Sequence, residues 1–283
     1  RQYNVHLMIS IGTAKGWIII VGDVPQAYIQ ANELKRIIYV RLPAQIPDGF
    51  AGLVPRQTAR LNKPLYGLPD SGSYWHDRIQ GSMKRYGLLK FGSDSCMLYL
   101  KDATDNLILL VAVHVDDIIL TGETDAVTSF RAFLEEEFST NWMQQPVVYT
   151  GTRITQTKST TTLDQLTYID NVLRDNSTFA RFRGQLAWIG NHTRPDLTFD
   201  AAFMSQQSEH DNQTLCAELL RVARRLLRDT REQKLVYPKL DLETLQLGVY
   251  SDASHKLDSE SAQCGYIILS ISLNILTPTV YSN

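Results

Sequence analysis

The chain has 283 residues, 43% hydrophobic and 20% charged, with a formal net charge of -2. That length holds one large domain or two to three modest ones, and the composition is that of a globular chain rather than a disordered or fibrous one. No apolar stretch is long enough to span a membrane, Cys96, Cys216 and Cys264 have neither disulfide-framework nor zinc spacing, and the near-neutral charge means that nucleic-acid binding has to come from local patches. The opening Arg1-Gln2-Tyr3-Asn4 lacks both Met and a secretory h-region, which reads as an intracellular, non-secreted piece of something longer.

In chain order, residues 17–23 (Trp17 to Asp23) form an apolar run that predicts a buried strand ending in a carboxylate. Asp70 or Ser71 predicts the start of a helix reaching Tyr86, with Trp75, Ile79 and Met83 on one side and Gly87 as its stop. Residues 107–120 are almost entirely apolar, and the run is interrupted by Asp116 and Asp117; this predicts two strands joined by a tight turn with both aspartates at its tip. Residues 125–138 predict an amphipathic helix with Val127, Phe130, Leu134 and Phe138 inward. The polar stretch 155–162 predicts a hairpin turn, and residues 165–173 a further helix. Residues 182–207 read as two helices separated by Thr193-Arg194-Pro195, with Pro195 suited to a first turn. Another helix covers 215–228, and strands are expected at 247–252 and 265–270.

Neighbouring carboxylates repel, and burying either unpaired is costly. A solvated turn explains Asp116-Asp117 taken alone. A second strand ending in Asp23 changes the weighing, because hard divalent cations prefer carboxylate oxygen and two such ions can drive phosphoryl transfer. If the two strands are neighbours, Asp23 and Asp116 converge.

Asp23-Val24-Pro25-Gln26-Ala27-Tyr28, then Ile38-Tyr39-Val40-Arg41-Leu42-Pro43 and Asp48-Gly49-Phe50, resemble the first palm motif of the reverse transcriptases of copia-type retrotransposons, and further segments follow in that family's order. Lys63-Pro64-Leu65-Tyr66-Gly67-Leu68 followed by Trp75 resembles the second, and Val113-His114-Val115-Asp116-Asp117 the aspartate pair. Tyr149-Thr150-Gly151 resembles the primer-gripping hairpin, Thr193-Arg194-Pro195-Asp196 with Met204-Ser205-Gln206 the thumb and connection, and Tyr250-Ser251-Asp252-Ala253 with Gly265-Tyr266 the opening of RNase H.

The resemblance implies an α+β chain. Residues 1–145 would be a right-hand polymerase palm with partial fingers, an antiparallel sheet with helices on one face; 146–240 a thumb/connection; and 241–283 a truncated RNase H-like β segment. It implies Asp23, Asp116 and Asp117 as ligands of two Mg²⁺ ions, with Mn²⁺ a possible substitute, and Tyr28 as the ring that excludes a ribose 2′-OH. The implied partners are an RNA template, a DNA primer and dNTPs, with integrase and fingers upstream and RNase H downstream in a parent polyprotein. The parent element would work in a cytoplasmic virus-like particle and the nucleus.

Some positions depart from the pattern. His114 stands where relatives carry Tyr and is given no catalytic part. Asp70 stands near where relatives carry a nucleotide-facing Gln, and helix capping is its expected work. The basic fingers hairpin is expected before Arg1. Asp252 alone matches an RNase H carboxylate, Asp258 and Glu260 do not, and no RNase H activity is expected. Arg221, Arg224, Arg225 and Arg228 form a helical stripe that could follow phosphates but reads better as a solvated face beside Glu218. The Asp70-Ser71-Gly72 triplet of aspartic proteases lacks the flanking strands that reaction needs and is rejected. The alternative to a polymerase is a decayed, inactive or incomplete fragment with at most weak nucleic-acid binding.

Overall fold

A computed structural model describes residues 2–46, 52, 54–255 and 262–272. Its first half is α1 (Gln2–Lys15), β1 (Ile18–Asp23), α2 (Ala27–Gln30), β2 (Ile38–Arg41), β3 (Thr58–Leu61), α3 (Ser71–Tyr86), β4 (Leu89–Phe91), β5 (Asp94–Lys101), β6 (Leu107–His114), β7 (Asp117–Gly122) and α4 (Thr124–Glu137). Then come β8 (Asn141–Trp142), β9 (Val147–Tyr149), β10 (Thr152–Gln156), β11 (Thr160–Asp164), α5 (Leu166–Arg174), α6 (Phe179–His192), a 3₁₀ turn (Pro195–Leu197), α7 (Thr198–Ser205), α8 (Gln213–Asp229), β12 (Leu235–Pro238), β13 (Leu245–His255) and β14 (Ala262–Ser272).

The central antiparallel sheet runs β4-β5-β6-β7-β1-β8. Its middle strands read as continuous apolar runs because both faces are covered. Leu109, Val111 and Val113 of β6 and Ile118 and Leu120 of β7 point toward Trp75, Ile79 and Met83 of α3 and Phe130 and Leu134 of α4. The alternate residues Leu110, Ala112 and Ile119 point the other way, against Val5, Met8 and Ile9 of α1 and against Tyr149, Ile154, Leu163 and Tyr237. Those last four belong to a second antiparallel sheet, β12-β11-β10-β9. The expectation of helices on one face therefore needs correction: α3 and α4 lie on one face, while α1 and the second sheet cover the other. A third core gathers α5 to α8 around Phe182, Leu186 and Leu227.

Most expected elements form where the pattern put them. α3 ends at Gly87, whose left-handed φ of 101° lets its N–H and that of Leu88 turn back onto the Met83 carbonyl. Pro195 begins the 3₁₀ turn ahead of α7, and the 155–162 stretch closes the β10–β11 hairpin. β13 and β14 pair over their full length, with Asp252 opposite Gly265. Asp258, Glu260 and the Asp48-Gly49-Phe50 segment lie outside the described residues.

α1 carries a titratable group into its core. His6 is buried and its Nδ1 lies 2.5 Å from the Tyr237 hydroxyl. Burial, and then the charge of His192, hold its imidazole down to about 3. A depressed histidine favours the neutral form, so its stabilisation is complete above the unfolded value near 6.5 and is lost as pH falls below it. Stability in denaturant titrations is expected to fall by up to roughly 1.4 kcal/mol per pH unit below 6.5 from this proton alone. His6→Gln should flatten that slope, and an unchanged slope would refute the assignment.

Candidate active site

β6 and β7 pair in register up to His114 opposite Asp117, so their connection is the two-residue turn Val115-Asp116. The expected tip is thereby refined: Asp116 lies in the turn, whereas Asp117 is the first residue of β7. Val115 has φ 57°, a left-handed conformation that is strained for a β-branched residue. Its carbonyl accepts a 2.6 Å hydrogen bond from the Trp75 indole Nε1 of α3. A buried aromatic side chain thus holds the turn from below.

β1 lies beside β7, with Asp23 opposite Asp117. The main-chain N–H of Val24 donates to the Asp116 carbonyl at 2.9 Å. The two strand ends anticipated as neighbours are therefore neighbours, and their carboxylates stand at the same end of two central strands. The Asp117 carboxylate accepts from the Thr150 N–H at 3.3 Å, in the β9–β10 turn where Thr150 and Gly151 both have positive φ.

Electrostatics follow from this crowding. Burial, then the charge of Asp116, raises the Asp23 carboxyl above its ordinary value. Burial raises Asp117 as well; the Thr150 N–H opposes this, and Asp116 and Asp23 reinforce it. Among the described ion pairs none involves Asp23, Asp116 or Asp117. Among the described residues no three His, Cys, Asp or Glu side chains stand at coordinating geometry. What fits a divalent ion is the donor chemistry: hard oxygens, crowded together, with no Lys or Arg paired to them among the described residues. A raised carboxyl favours its protonated form in the folded chain, so its contribution is lost as pH rises through the folded value. In metal-free buffer at neutral pH, Asp117→Asn is expected to stabilise the chain, with the gain lost as pH falls below the ordinary carboxylate range. Destabilisation at neutral pH, read by chemical denaturation, would contradict the repulsion.

Tyr28 lies on the one-turn helix α2, entered through Gln26 in a left-handed conformation. Its ring meets that of Tyr66, with centroids 4.5 Å apart. Desolvation raises the Tyr66 phenol, helped by Asp116, Tyr28 and Asp23, which puts this side chain in the field of the carboxylates. Sequence reasoning missed the contacts made by Tyr66, Thr150 and Trp75. All three sat inside segments singled out for other reasons, but nothing in the chain order signals which side chain each one meets.

Two expectations about charged residues change. Asp70 stands at the N-cap position of α3 without capping it. Its carboxylate instead receives both Nε and Nη2 of Arg36, at 3.0 and 2.7 Å, because a guanidinium fork satisfies both oxygens at once. The arginine stripe on α8 is divided: Arg221 pairs with Glu218 and Arg225 with Asp229, while Arg224 packs over Phe182 and donates to the Asp175 carbonyl. His114 is exposed and stands opposite Asp117 in the β6–β7 pairing, where its charge opposes the rise of that carboxyl.

The model of the family described as reverse transcriptase (RNA-dependent DNA polymerase) matches residues 1–182. The chain belongs to the reverse transcriptase family. Its relatives place it with the copia-type retrotransposons. It is 28% identical over 156 residues to the retrovirus-related Pol polyprotein from transposon TNT 1-94 of Nicotiana tabacum, covering 53% of the chain and 11% of that protein. It is 24% identical over 300 residues to the Pol polyprotein from transposon RE2 of Arabidopsis thaliana, covering 95% and 20%. A transposon Ty5-1 protein of Saccharomyces cerevisiae is 24% identical over 284 residues, covering 87% of the chain and 88% of that protein. This reverse transcriptase chain thus spans about 20% of the RE2 polyprotein's length. Reverse transcriptases as a family work with divalent metal ions. No described helix is long and apolar enough to cross a membrane.

Proposed function

We propose that the chain is the RNA-directed DNA polymerase segment of a retrotransposon Pol polyprotein, copying an RNA template from a DNA primer with dNTPs. Residues 1–145 act as palm with partial fingers, 146–240 as thumb and connection, and 241–283 as the opening of an RNase H-like domain. The observation that carries this reading is the pairing of Asp23 with Asp117 across β1 and β7, with the Asp116 turn bonded to Val24.

In this reading Asp23 and Asp116 would hold two Mg²⁺ ions, with Asp117 beside them, and the ions when bound supply positive charge to the attacking and leaving oxygens. The chain's own contribution is rigidity and selection. Strand pairing fixes where the carboxylates stand, and Trp75 fixes the turn. Thr150 ties Asp117 to the hairpin that resembles a primer grip. In the same reading the Tyr28 ring would stack under a deoxyribose and clash with a 2′-OH, which is discrimination by exclusion. The parent element would supply integrase, fingers and RNase H and would act in a cytoplasmic particle and the nucleus.

The test is primer extension on an RNA template with dNTPs and Mg²⁺, run on this chain and on the chain joined to its flanking polyprotein sequence. Template-directed extension by either is expected. Absence of extension from both would sink the reading.

A further inference from the structure

The loop that carries Tyr66 is built to hold it still. Gly67 has φ 97°, the Leu65 carbonyl accepts the Leu68 N–H at 3.3 Å, and the buried Ser71 hydroxyl donates to that same carbonyl at 2.6 Å. The segment is therefore pinned to the first turn of α3. It presents Tyr66 to solvent, with 59% of the residue exposed. The Tyr66 ring leans on Tyr28 at 42° between planes. The Tyr28 hydroxyl also reaches α3: a Cβ placed on Gly72 would meet it at 4.0 Å. Tyr28 thus touches both Tyr66 and the start of α3, and the carboxylates of Asp23 and Asp116 lie close to Tyr66.

A ring that rejects a 2′-OH by collision must not swing aside when the collision comes. Tyr28 sits on a helix of a single turn, which has little stiffness of its own. Its resistance has to come from what it leans on. We propose that Tyr66 is a positioning residue for sugar discrimination: its ring braces Tyr28, so that the exclusion of ribonucleotides depends on the pair. This rests on the polymerase reading above, with Tyr28 as the ring beside the sugar. The Tyr66 hydroxyl plays no part; the aromatic face does the bracing.

The test measures kcat/KM for dUTP and for UTP, which differ only in the 2′-OH, in primer extension, and, separately, equilibrium binding of each nucleotide to the chain on a primer ending in a dideoxynucleotide. Tyr66→Ala should lower the dUTP/UTP preference by roughly tenfold in both, the size expected from losing one aromatic pair. Most of the change should appear as gained UTP use rather than lost dUTP use. Tyr66→Phe keeps the ring and should keep the preference. In Tyr28→Ala, adding Tyr66→Ala should change nothing further, since there is no ring left to brace. Equal losses for both sugars in Tyr66→Ala, or additive effects of the two alanine substitutions, would overturn the bracing while leaving the polymerase reading intact. Binding that discriminates without extension would support the bracing and count against catalysis by this chain. Binding of neither nucleotide would overturn both.

Discussion

Asp116→Asn should abolish primer extension, by at least about a thousandfold, without unfolding the chain. The side chain changes by one atom and loses its charge, whereas what Asp116 gives the fold is its main-chain carbonyl, bonded to Val24. Asn also removes a charge that raises the carboxyls of both Asp23 and Asp117, so stability should hold or rise. Asp105→Asn is the matched control. It removes an aspartate from another hairpin turn, where Asp105 is exposed and paired with Lys101, and should leave extension unchanged. Extension by Asp116→Asn within tenfold of the parent would sink the assignment of this carboxylate.

The second large effect belongs to Trp75, where packing and site geometry meet. Its ring is buried, lies edge-on to Phe138 at 5.2 Å, and donates to the Val115 carbonyl. Trp75→Ala removes a fully buried aromatic and is expected to cost about 3–5 kcal/mol. Trp75→Phe separates the two jobs. It keeps most of the contact with the core and loses the hydrogen bond, at about 1 kcal/mol. Extension should nevertheless fall about ten- to a hundredfold, because the turn that presents Asp116 is no longer fixed. Denaturation midpoints and extension rates measured on the same preparations check this. Activity that tracks stability alone would show the indole bond to be structural only.

What was legible in the sequence is what chain-local patterns encode. The run at 107–120 gave its hairpin because its apolar residues leave few other places for the two aspartates, and α3, α4 and α8 gave themselves through helical spacing. α1 was not legible, and the reason is physical. His6 and Thr13 are buried beside Val5, Met8 and Ile9, so the packed face is not purely apolar. Those polar groups are satisfied by Tyr237 and Thr161, which come from β12 and β11. A helix whose inward face includes polar residues waiting for distant strands does not look amphipathic. Asp70 misled for the same kind of reason: its position suits a cap, but the better partner, Arg36, lies on a separate loop. The candidate site was legible in its carboxylates, because they interrupt apolar strands, and in Tyr28 by resemblance. Trp75, Thr150 and Tyr66 act through contacts that only the folded chain creates.

The sheet that carries the carboxylates is shielded above and below, and β6, β7 and β1 each have strands on both sides. Their amides should be among the last in the molecule to trade protons with solvent, yielding only when the whole unit comes apart. Fraying of termini or outlying hairpins would then leave Asp23, Asp116 and Asp117 in register. The candidate site would then be anchored in the slowest-exchanging part of the protein, to be lost by collapse of the whole unit rather than by gradual loosening.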